Sequence, residues 1–277
     1  MSRTHSDGGV FVSFLETLGS QATWFSRSLL RAAGKPVAHL GEATLLFVEM
    51  ARRLPLVIRN PRLLVEQTIR MGVSSLVLVL VISIFIGAVT AIQAHYQFRG
   101  FIPDSYLGTA VCKFVIIESG PVLTALVLAG RIGSAIAAEV GSMKEKEELD
   151  AMTVLDLDPL RYLALPRMLG GLISFPMLVV ISDVLALFGG WLVARFSLGI
   201  TTSTYVGGMR FLFDTYDVWV GLLKAVCFGI VVSFMGFYHG MRAEAGAKGV
   251  GQATMRSVVS SCVWILVLDF IIVYVVY

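Results

Sequence analysis

The amino-acid sequence predicts an all-α polytopic membrane protein. Of its 277 residues, 56% are hydrophobic and 15% are charged, and the mean hydropathy is +0.81. Soluble domains carry about 25% charged residues, so this composition is typical of a chain that crosses a bilayer. The apolar residues are also grouped into stretches of about 20 residues or more, with charged segments between them. A net charge of +3 is too small to indicate a nucleic-acid partner.

The first 72 residues are predicted to form an N-terminal cytoplasmic or interfacial region. Apolar residues recur at helical spacing from Val10 to Leu30 among charged side chains, which predicts an N-terminal amphipathic helix. Such a helix either lies in the membrane interface or packs on the cytosolic face of the protein. Residues 40–50 form a second apolar helix, which is too short to span a membrane.

Residues 73–277 are predicted to form a single domain with five transmembrane helices. The first span, residues 73–92, provides about 30 Å of helix, which matches the thickness of the hydrocarbon core. Four further apolar stretches follow, each preceded by a polar or charged segment. These stretches cover residues 108–138, 168–194, 218–238 and 257–277.

The distribution of basic residues predicts the orientation of these spans. With the N-terminus inside, segments 1–72, 139–167 and 239–256 face the cytoplasm. When Arg131 is counted with the second segment, the three hold 9, 5 and 3 basic residues, which is 17 of the 22. Because basic residues collect on the cytoplasmic side, we expect a cytoplasmic N-terminus and a C-terminus on the opposite, outer side of the membrane.

Several ionisable residues lie inside the apolar spans, where a charge is costly unless it faces a cavity, a partner or the bundle interior. Glu118 lies ten residues into the second span, about 15 Å deep. Lys224, in the fourth span, has a depth that suits a partner for Glu118 or for an anionic headgroup. Lys113 is shallower and is expected to snorkel outward. Asp183 is expected to hydrogen-bond within the bundle, and Asp269 to lie near the outer interface.

A stripe of small residues follows Glu118 on the second span. Gly133, Ala137 and Gly141 recur every four residues, a spacing that lets another helix backbone approach closely. The partner is either a helix of the same chain or an element across a moving or dimeric interface. Gly236 and Gly240 form a second, shorter pair of the same kind on the fourth span.

The segment between the second and third spans is dense in charge. Met143–Asp150, M-K-E-K-E-E-L-D, has strong helix propensity. It is either an ordinary solvated helix or a receiver for movement from a soluble motor. The sequence contains no nucleotide-binding loop of the form G-x-x-x-x-G-K-[ST], no hydrolase motif and no cysteine spacing typical of metal sites. The sequence therefore predicts a chain that is not an enzyme, and if it moves a substrate against a gradient, another protein is expected to supply the energy.

Two ordered runs carry a family resemblance. The first contains E-S-G-P-V-L-T-A-L-V-L-A-G-R-I-G-S-A-I-A-A-E-V-G-S-M-K from Glu118, then E-E-L-D-A-M and D-P-L-R-Y-L-A-L-P-R. The second is E-A-G-A-K-G-V-G-Q-A-T-M-R-S-V-V from Glu244. Together they resemble the MlaE (YrbE) permease family over about residues 40–277. The chain has Ile117 where this family often has arginine, and Asp156 where it often has glycine.

The resemblance implies a function and a set of partners. It implies the permease subunit of an ABC transporter in the bacterial inner membrane. The transporter would move phospholipid to or from an MCE-domain protein and maintain the lipid asymmetry of the outer membrane. It also implies a homodimer, a periplasmic MCE-domain protein, a separate cytoplasmic ATPase that binds ATP and Mg, and a small STAS-type cytoplasmic subunit. No cofactor is expected in this chain.

The resemblance also implies roles for particular residues. Glu118 matches the family's buried glutamate and Lys224 its basic counterpart, so both are expected to line a lipid cavity. A coupling helix is expected over about residues 139–153, between the second and third spans. An autonomous ion-coupled transporter with a proton site at Glu118, and a structural membrane scaffold, are the alternatives. The candidate coupling residues are Glu139, Met143, Lys144, Glu147, Glu148 and Asp150.

Overall fold

The computed structural model describes residues 41–53 and 61–276, and these ranges contain helices and no strands. The amphipathic helix predicted over residues 10–30 lies outside the described residues. The chain divides into two units, residues 1–52 and 53–277. The described part of the first unit belongs to helix α1, residues 41–53, in the region where a short apolar helix is predicted.

The second unit contains five long helices and two short ones among its described residues. Each of the long helices is long and apolar enough to cross a membrane, which confirms the predicted all-α polytopic fold. The long helices are α2 (Pro61–Phe98), α3 (Asp104–Glu145), α5 (Leu160–Phe196), α7 (Thr215–Met241) and α8 (Ala247–Val276). The short helices are α4 (Glu148–Val154) and α6 (Thr202–Phe211).

The helices extend beyond the predicted apolar spans. Helix α2 begins at Pro61, because proline is tolerated in the first turn of a helix, where its missing N–H has no partner to lose. The polar segment between the third and fourth predicted spans contains the short helix α6. That helix begins where the hydroxyl of Thr201 accepts a hydrogen bond from the backbone N–H of Thr204. Helix α4 connects the second and third spans, and α6 connects the third and fourth, so the two helices lie at opposite ends of the bundle. We call these ends the α4 end and the α6 end.

Helices α2 and α5 approach closely along their length. A Cβ atom added at Gly87 would overlap the backbone of α5, and one added at Gly189 would overlap the backbone of α2. At the centre of this contact the Ser83 hydroxyl donates to the Ser182 hydroxyl at 2.8 Å. The Thr124 hydroxyl of α3 donates to the same oxygen, also at 2.8 Å. Three spans are thus joined by buried hydroxyl groups that hydrogen-bond to one another, and the Ser83 hydroxyl also lies 2.6 Å from the carbonyl oxygen of Val79.

The two stripes of small residues on α3 and α7 lie against each other. A Cβ added at Gly236 would lie 3.0 Å from the carbonyl oxygen of Gly133, and one added at Gly240 would lie 3.1 Å from that of Ala137. A Cβ added at Gly141 would lie 3.2 Å from a side chain in the turn after α7. Of the two interpretations of the stripe, the structure therefore shows packing within one chain.

The predicted coupling helix over residues 139–153 was wrong in its extent. Helix α3 ends at Glu145, and Glu147 takes a left-handed conformation with φ of 59° before α4 begins at Glu148. Helix propensity alone favours a continuous helix here, but tertiary packing overrides it. After this break in the helix, Leu149 of α4 is buried, whereas the charged side chains of α4 are exposed. Asp156, in the turn after α4, is also left-handed, with φ of 59°.

Candidate functional site

Three charged side chains meet between α3, α7 and α8. The ammonium group of Lys224 lies 2.6 Å from Oε2 of Glu118 and 2.7 Å from Oδ1 of Asp269. Lys224 has no exposed surface, and the side chain of Asp269 is 13% exposed. Glu118, with 39% of its side chain exposed, is the most accessible member. We call these three residues the charge cluster.

Helix α3 is widened where it presents Glu118. Residues Val115–Ser119 form a π-helical turn, and Pro121 stands two residues after its end. Proline has no backbone N–H, so the usual hydrogen bond back to the carbonyl four residues earlier cannot form. The π turn is a common local answer to such a lost bond and is often found at functional sites. The sequence E-S-G-P therefore accounts for the backbone irregularity beside the cluster.

Two glycines allow the surrounding helices to reach the cluster. A Cβ added at Gly221 would lie 2.5 Å from the carbonyl oxygen of Ile116, so α7 can approach the π turn only with glycine at this position. Gly221 and Lys224 are three residues apart and share one face of α7. The close approach therefore brings the Lys224 side chain against α3. At Gly120, a Cβ would overlap the carboxylate of Asp183.

The cluster has more negative than positive groups. A buried lysine in an apolar bundle is stable only when it is paired, and here two carboxylates share it. Within the bundle the three residues lie about 10 to 15 Å from the α6 end, counted along α3 from residue 108 and along α7 and α8 from their helix ends. A charged group is thus held deep in the span region with one open side at Glu118.

A second ion pair lies nearer the α6 end. Lys113 donates to Oδ2 of Asp217 at 3.0 Å, and Asp217 is buried in the first turn of α7. The prediction that Lys113 snorkels outward was therefore incomplete, because 41% of its side chain is exposed but its ammonium group is paired within the chain. Asp217 was not singled out from the sequence, since it stands at the edge of a polar loop.

Asp183 lies behind the charge cluster, on α5. One of its carboxylate oxygens is buried and makes no hydrogen bond to any described residue, so the predicted hydrogen bond within the bundle is not seen for that oxygen. It abuts Gly120. The described residues contain no group of three or more His, Cys, Asp or Glu placed to hold a metal ion.

Glu139 is paired within the chain at the α4 end. Its Oε1 accepts from Arg70 of α2 and from Arg167 of α5, each at 3.1 Å. The Arg167 side chain is almost fully buried, with 4% exposed. Glu139 therefore joins three spans and is less available to an external partner than the sequence indicates.

The other predicted coupling residues lie at the end of α3 and on α4. Lys144, Glu147, Glu148 and Asp150 are exposed, and Met143 is partly buried. Beyond them the apolar side chains of Val154 and Leu155 are 85% and 70% exposed. Leu155 falls on a narrow apolar edge with Leu149 and Met152 in the sequence, whereas Val154 was not singled out from it. The signal in the sequence is that these two large apolar residues stand side by side in a short segment bounded by Asp150 and Asp156.

Asp269 is the member of the cluster that sequence reasoning placed wrongly. It was expected near the outer interface because it lies close to the end of the last apolar stretch. In the structure it is buried and paired with Lys224. Counting depth from the same end for every span could have found it, because Asp269 then lies near the depth of Lys224, and a carboxylate inside a span needs a partner.

The chain matches the family model described as Permease MlaE over residues 64–275. It is 34% identical to the intermembrane phospholipid transport system permease protein MlaE of Haemophilus influenzae, over 95% of this chain and 97% of that protein. It is 38% identical to a probable ABC transporter permease protein of Rickettsia bellii, over 78% of this chain and 85% of that protein. A probable ABC transporter permease protein of Synechocystis is 33% identical, over 76% of this chain and 80% of that protein.

The family match covers the charge cluster and nearly all of the five long helices. They agree with the resemblance carried by the runs around Glu118 and after Glu244. The family and the relatives that match are described as permeases, so the chain is a permease subunit and not itself an enzyme. With its all-α polytopic fold and a family match over most of its length, the chain belongs to the MlaE permease family.

Proposed function

We propose that this chain is the membrane-spanning subunit of an ABC transporter that moves phospholipid between the inner membrane and an MCE-domain protein. The observation that supports this function most is the charge cluster, in which Lys224 is fully buried while Glu118 keeps an open side. In a membrane domain this is the expected design of a site for a polar headgroup attached to apolar chains.

The cluster offers complementary chemistry to both parts of a phospholipid headgroup. Glu118 can accept hydrogen bonds from a headgroup ammonium or hydroxyl. When the Glu118 side chain turns aside, the ammonium group of Lys224 can donate to a phosphate. Asp269 would remain paired with Lys224, so the buried ammonium group keeps a carboxylate partner during this exchange. The apolar faces of α2, α3 and α7 would accommodate the acyl chains. Glu118 and Lys224 thus form the polar end of the proposed lipid cavity.

The proposal includes a homodimer. The open side of Glu118 would face a cavity enclosed between two copies of the chain, which would keep the headgroup out of the lipid phase. An MCE-domain protein on the periplasmic side would exchange lipid with this cavity, and a small STAS-type subunit would bind on the cytoplasmic side. The distribution of basic residues supports a cytoplasmic N-terminus and a periplasmic C-terminus.

The α4 end would receive the ATPase, which binds ATP and Mg in its own chain. Helix α4 presents exposed acidic residues together with the apolar side chains of Val154 and Leu155. Such a mixture of apolar anchor and charged rim is typical of a protein–protein contact. Movement of α4 would reach the cluster through α3, which packs closely along α7 by its small residues.

Reconstitution tests the proposed cargo site. The chain is assembled with its ATPase in vesicles, and ATP-dependent movement of phosphate-labelled phospholipid is measured for Glu118→Gln. We expect at least about a tenfold loss, because one lost charge-assisted hydrogen bond costs about 1.5 to 3 kcal/mol. Lys113→Gln is the matched control, since it disrupts an ion pair outside the cluster. Normal transport by Glu118→Gln would contradict the proposal, and gradient-driven transport without the ATPase would favour an autonomous transporter.

Co-purification tests the proposed coupling surface. Charge reversal at Glu147, Glu148 and Asp150 is expected to separate the ATPase from the membrane subunit, because all three side chains are exposed at α4. Glu66→Lys, an exposed reversal on α2, is the control and should leave the complex intact. Equal recovery of the ATPase with both variants would rule out this surface as its docking site.

A further inference from the structure

A cleft of about 280 Å³ opens between α2 and α3 at the α4 end, away from the charge cluster. Gln67, Arg70, Met71 and Ser74 line it from one face of α2. From α3 it is lined by Arg131, Ile132, Ala135, Ile136 and Glu139. Its floor is apolar, since Met71, Ile132 and Ile136 are buried. Its volume corresponds to about nine water molecules, enough for a glycerophosphate-sized group.

The cleft carries a net positive charge. The single carboxylate of Glu139 is already bound by two arginines, Arg70 and Arg167, through the same oxygen. Arg131 adds a third guanidinium group, and no ion pair among the described residues includes it. Two guanidinium groups, those of Arg70 and Arg131, line the cleft against the one carboxylate of Glu139, and Arg167 neutralises that carboxylate from the buried side, so an excess of donors remains that suits an anion.

Arg131 is placed unusually for a charged residue. It lies seven residues before Ala138, about 10 Å inside the predicted apolar span, and it is exposed. A π-helical turn, Ala129–Gly133, presents it to the cleft. An exposed arginine at this depth is costly in hydrocarbon unless a phosphate or water reaches it. The guanidinium plane binds phosphate oxygens through two parallel hydrogen bonds, which a lysine cannot do.

The geometry points to a second lipid site, and we propose that this cleft binds the phosphate of an anionic phospholipid from the leaflet at the α4 end. Arg131 and Arg70 hold the phosphate, and Met71, Ile132 and Ile136 contact the first part of the acyl chains. The basic residues predict that this leaflet is the cytoplasmic one. The inference rests on the proposed phospholipid function and adds to it a place where lipid enters or leaves on the side opposite the charge cluster.

Two adjacent residues allow a direct test that leaves the proposed phosphate-binding arginines unchanged. Ser74 lines the cleft, whereas Val73 is exposed next to it and does not. A photoreactive residue is placed at either position in the full chain, in nanodiscs of phosphatidylethanolamine and phosphate-labelled phosphatidylglycerol. We expect at least about tenfold more labelled adduct at Ser74 than at Val73, which corresponds to one charge-assisted contact. Equal labelling at the two positions would overturn the proposal.

Substitution of Arg131 tests the ligand chemistry. Arg131→Gln is expected to lower the Ser74 adduct about tenfold, and Arg131→Lys to restore part of it. Arg210→Gln, an exposed arginine at the α6 end, should have no effect. Millimolar inorganic phosphate should not compete, and loss of the adduct to phosphate would overturn the phospholipid assignment. Crosslinks from position 74 to residues 1–40 of the chain instead of lipid would also overturn it.

A parallel probe separates this inference from the proposed function. The same photoreactive residue at position 118 reports lipid at the charge cluster. Labelling at 118 without labelling at 74 would refute the cleft and leave the transport function standing. Labelling at neither position would count against both.

Discussion

Replacing Lys224 with methionine removes the positive charge that Glu118 and Asp269 share, while keeping an unbranched side chain of similar length. The carboxylate oxygens on either side lie 2.6 and 2.7 Å from the ammonium group, so they are at most about 5.3 Å apart. With an effective dielectric constant near 20, two like charges at that distance repel by about 3 kcal/mol. Removing one partner of a buried ion pair typically costs about 3 to 5 kcal/mol. We therefore expect Lys224→Met to lower the free energy of unfolding by about 3 to 5 kcal/mol.

Unfolding of the purified chain in detergent micelles measures this loss. A control with Lys113→Met should cost less, because that lysine is 41% exposed and water can replace it. The triple variant Lys224→Met, Glu118→Gln, Asp269→Asn removes all three charges and should recover most of the lost stability without recovering transport. The electrostatic explanation is refuted if the free energy of unfolding of Lys224→Met lies within about 1 kcal/mol of that of the unchanged chain. It is also refuted if the triple variant is no more stable than Lys224→Met.

Three further predictions concern single positions. Gly221→Ala should lower the free energy of unfolding by about 1 to 3 kcal/mol, because the added methyl group would overlap the carbonyl oxygen of Ile116 in α3. Gly251→Ala in α8 has open space around it and should leave stability unchanged or raise it. Equal melting temperatures for the two variants would contradict this prediction. Asp156→Gly should stabilise by about 0.5 to 1 kcal/mol because φ is 59°, whereas Asp150→Gly inside α4 should destabilise by a similar amount, as chemical unfolding would show. Burial raises the pKa of Tyr205 above its ordinary value of 10.0, so the folded chain favours the neutral phenol. The free energy of unfolding should therefore fall as the pH rises above about 10, and Tyr205→Phe should weaken this pH dependence. The same pH dependence in the variant and the unchanged chain would disprove this prediction.

The positions of the five spans followed from composition and hydropathy, because the bilayer demands long apolar helices. The pairing of Glu118 with Lys224 also followed, since two opposite charges at similar depth have few other ways to be stable. Asp269 was missed because depth was counted from the nearest apolar edge, and a sequence does not show which helices are neighbours. The two small-residue stripes were found separately, but their contact with each other depends on the three-dimensional order of the helices.

Other features escaped prediction because local preference was overruled. M-K-E-K-E-E has high helix propensity, yet Glu147 is left-handed and breaks the helix before α4. The isolated appearance of Glu139 in the sequence concealed its two arginine partners, which come from segments 69 residues before it and 28 residues after it. The departure from glycine at Asp156 is now explained in part, because the position requires a left-handed backbone that aspartate tolerates better than most residues.

The π turns Val115–Ser119 and Ala129–Gly133 set the angular relation between the two ends of α3. Each π turn holds one residue more than an α-helical turn, and one residue corresponds to about 100° of rotation about the helix axis. The directions in which Glu118 and Glu139 point therefore depend on the number of residues between them as well as on their identity. Deleting one residue from a π turn would leave an ordinary α-helical turn, whereas deleting one from a regular part of α3 would rotate one end by about 100°, so α3 should tolerate a deletion better inside a π turn than elsewhere.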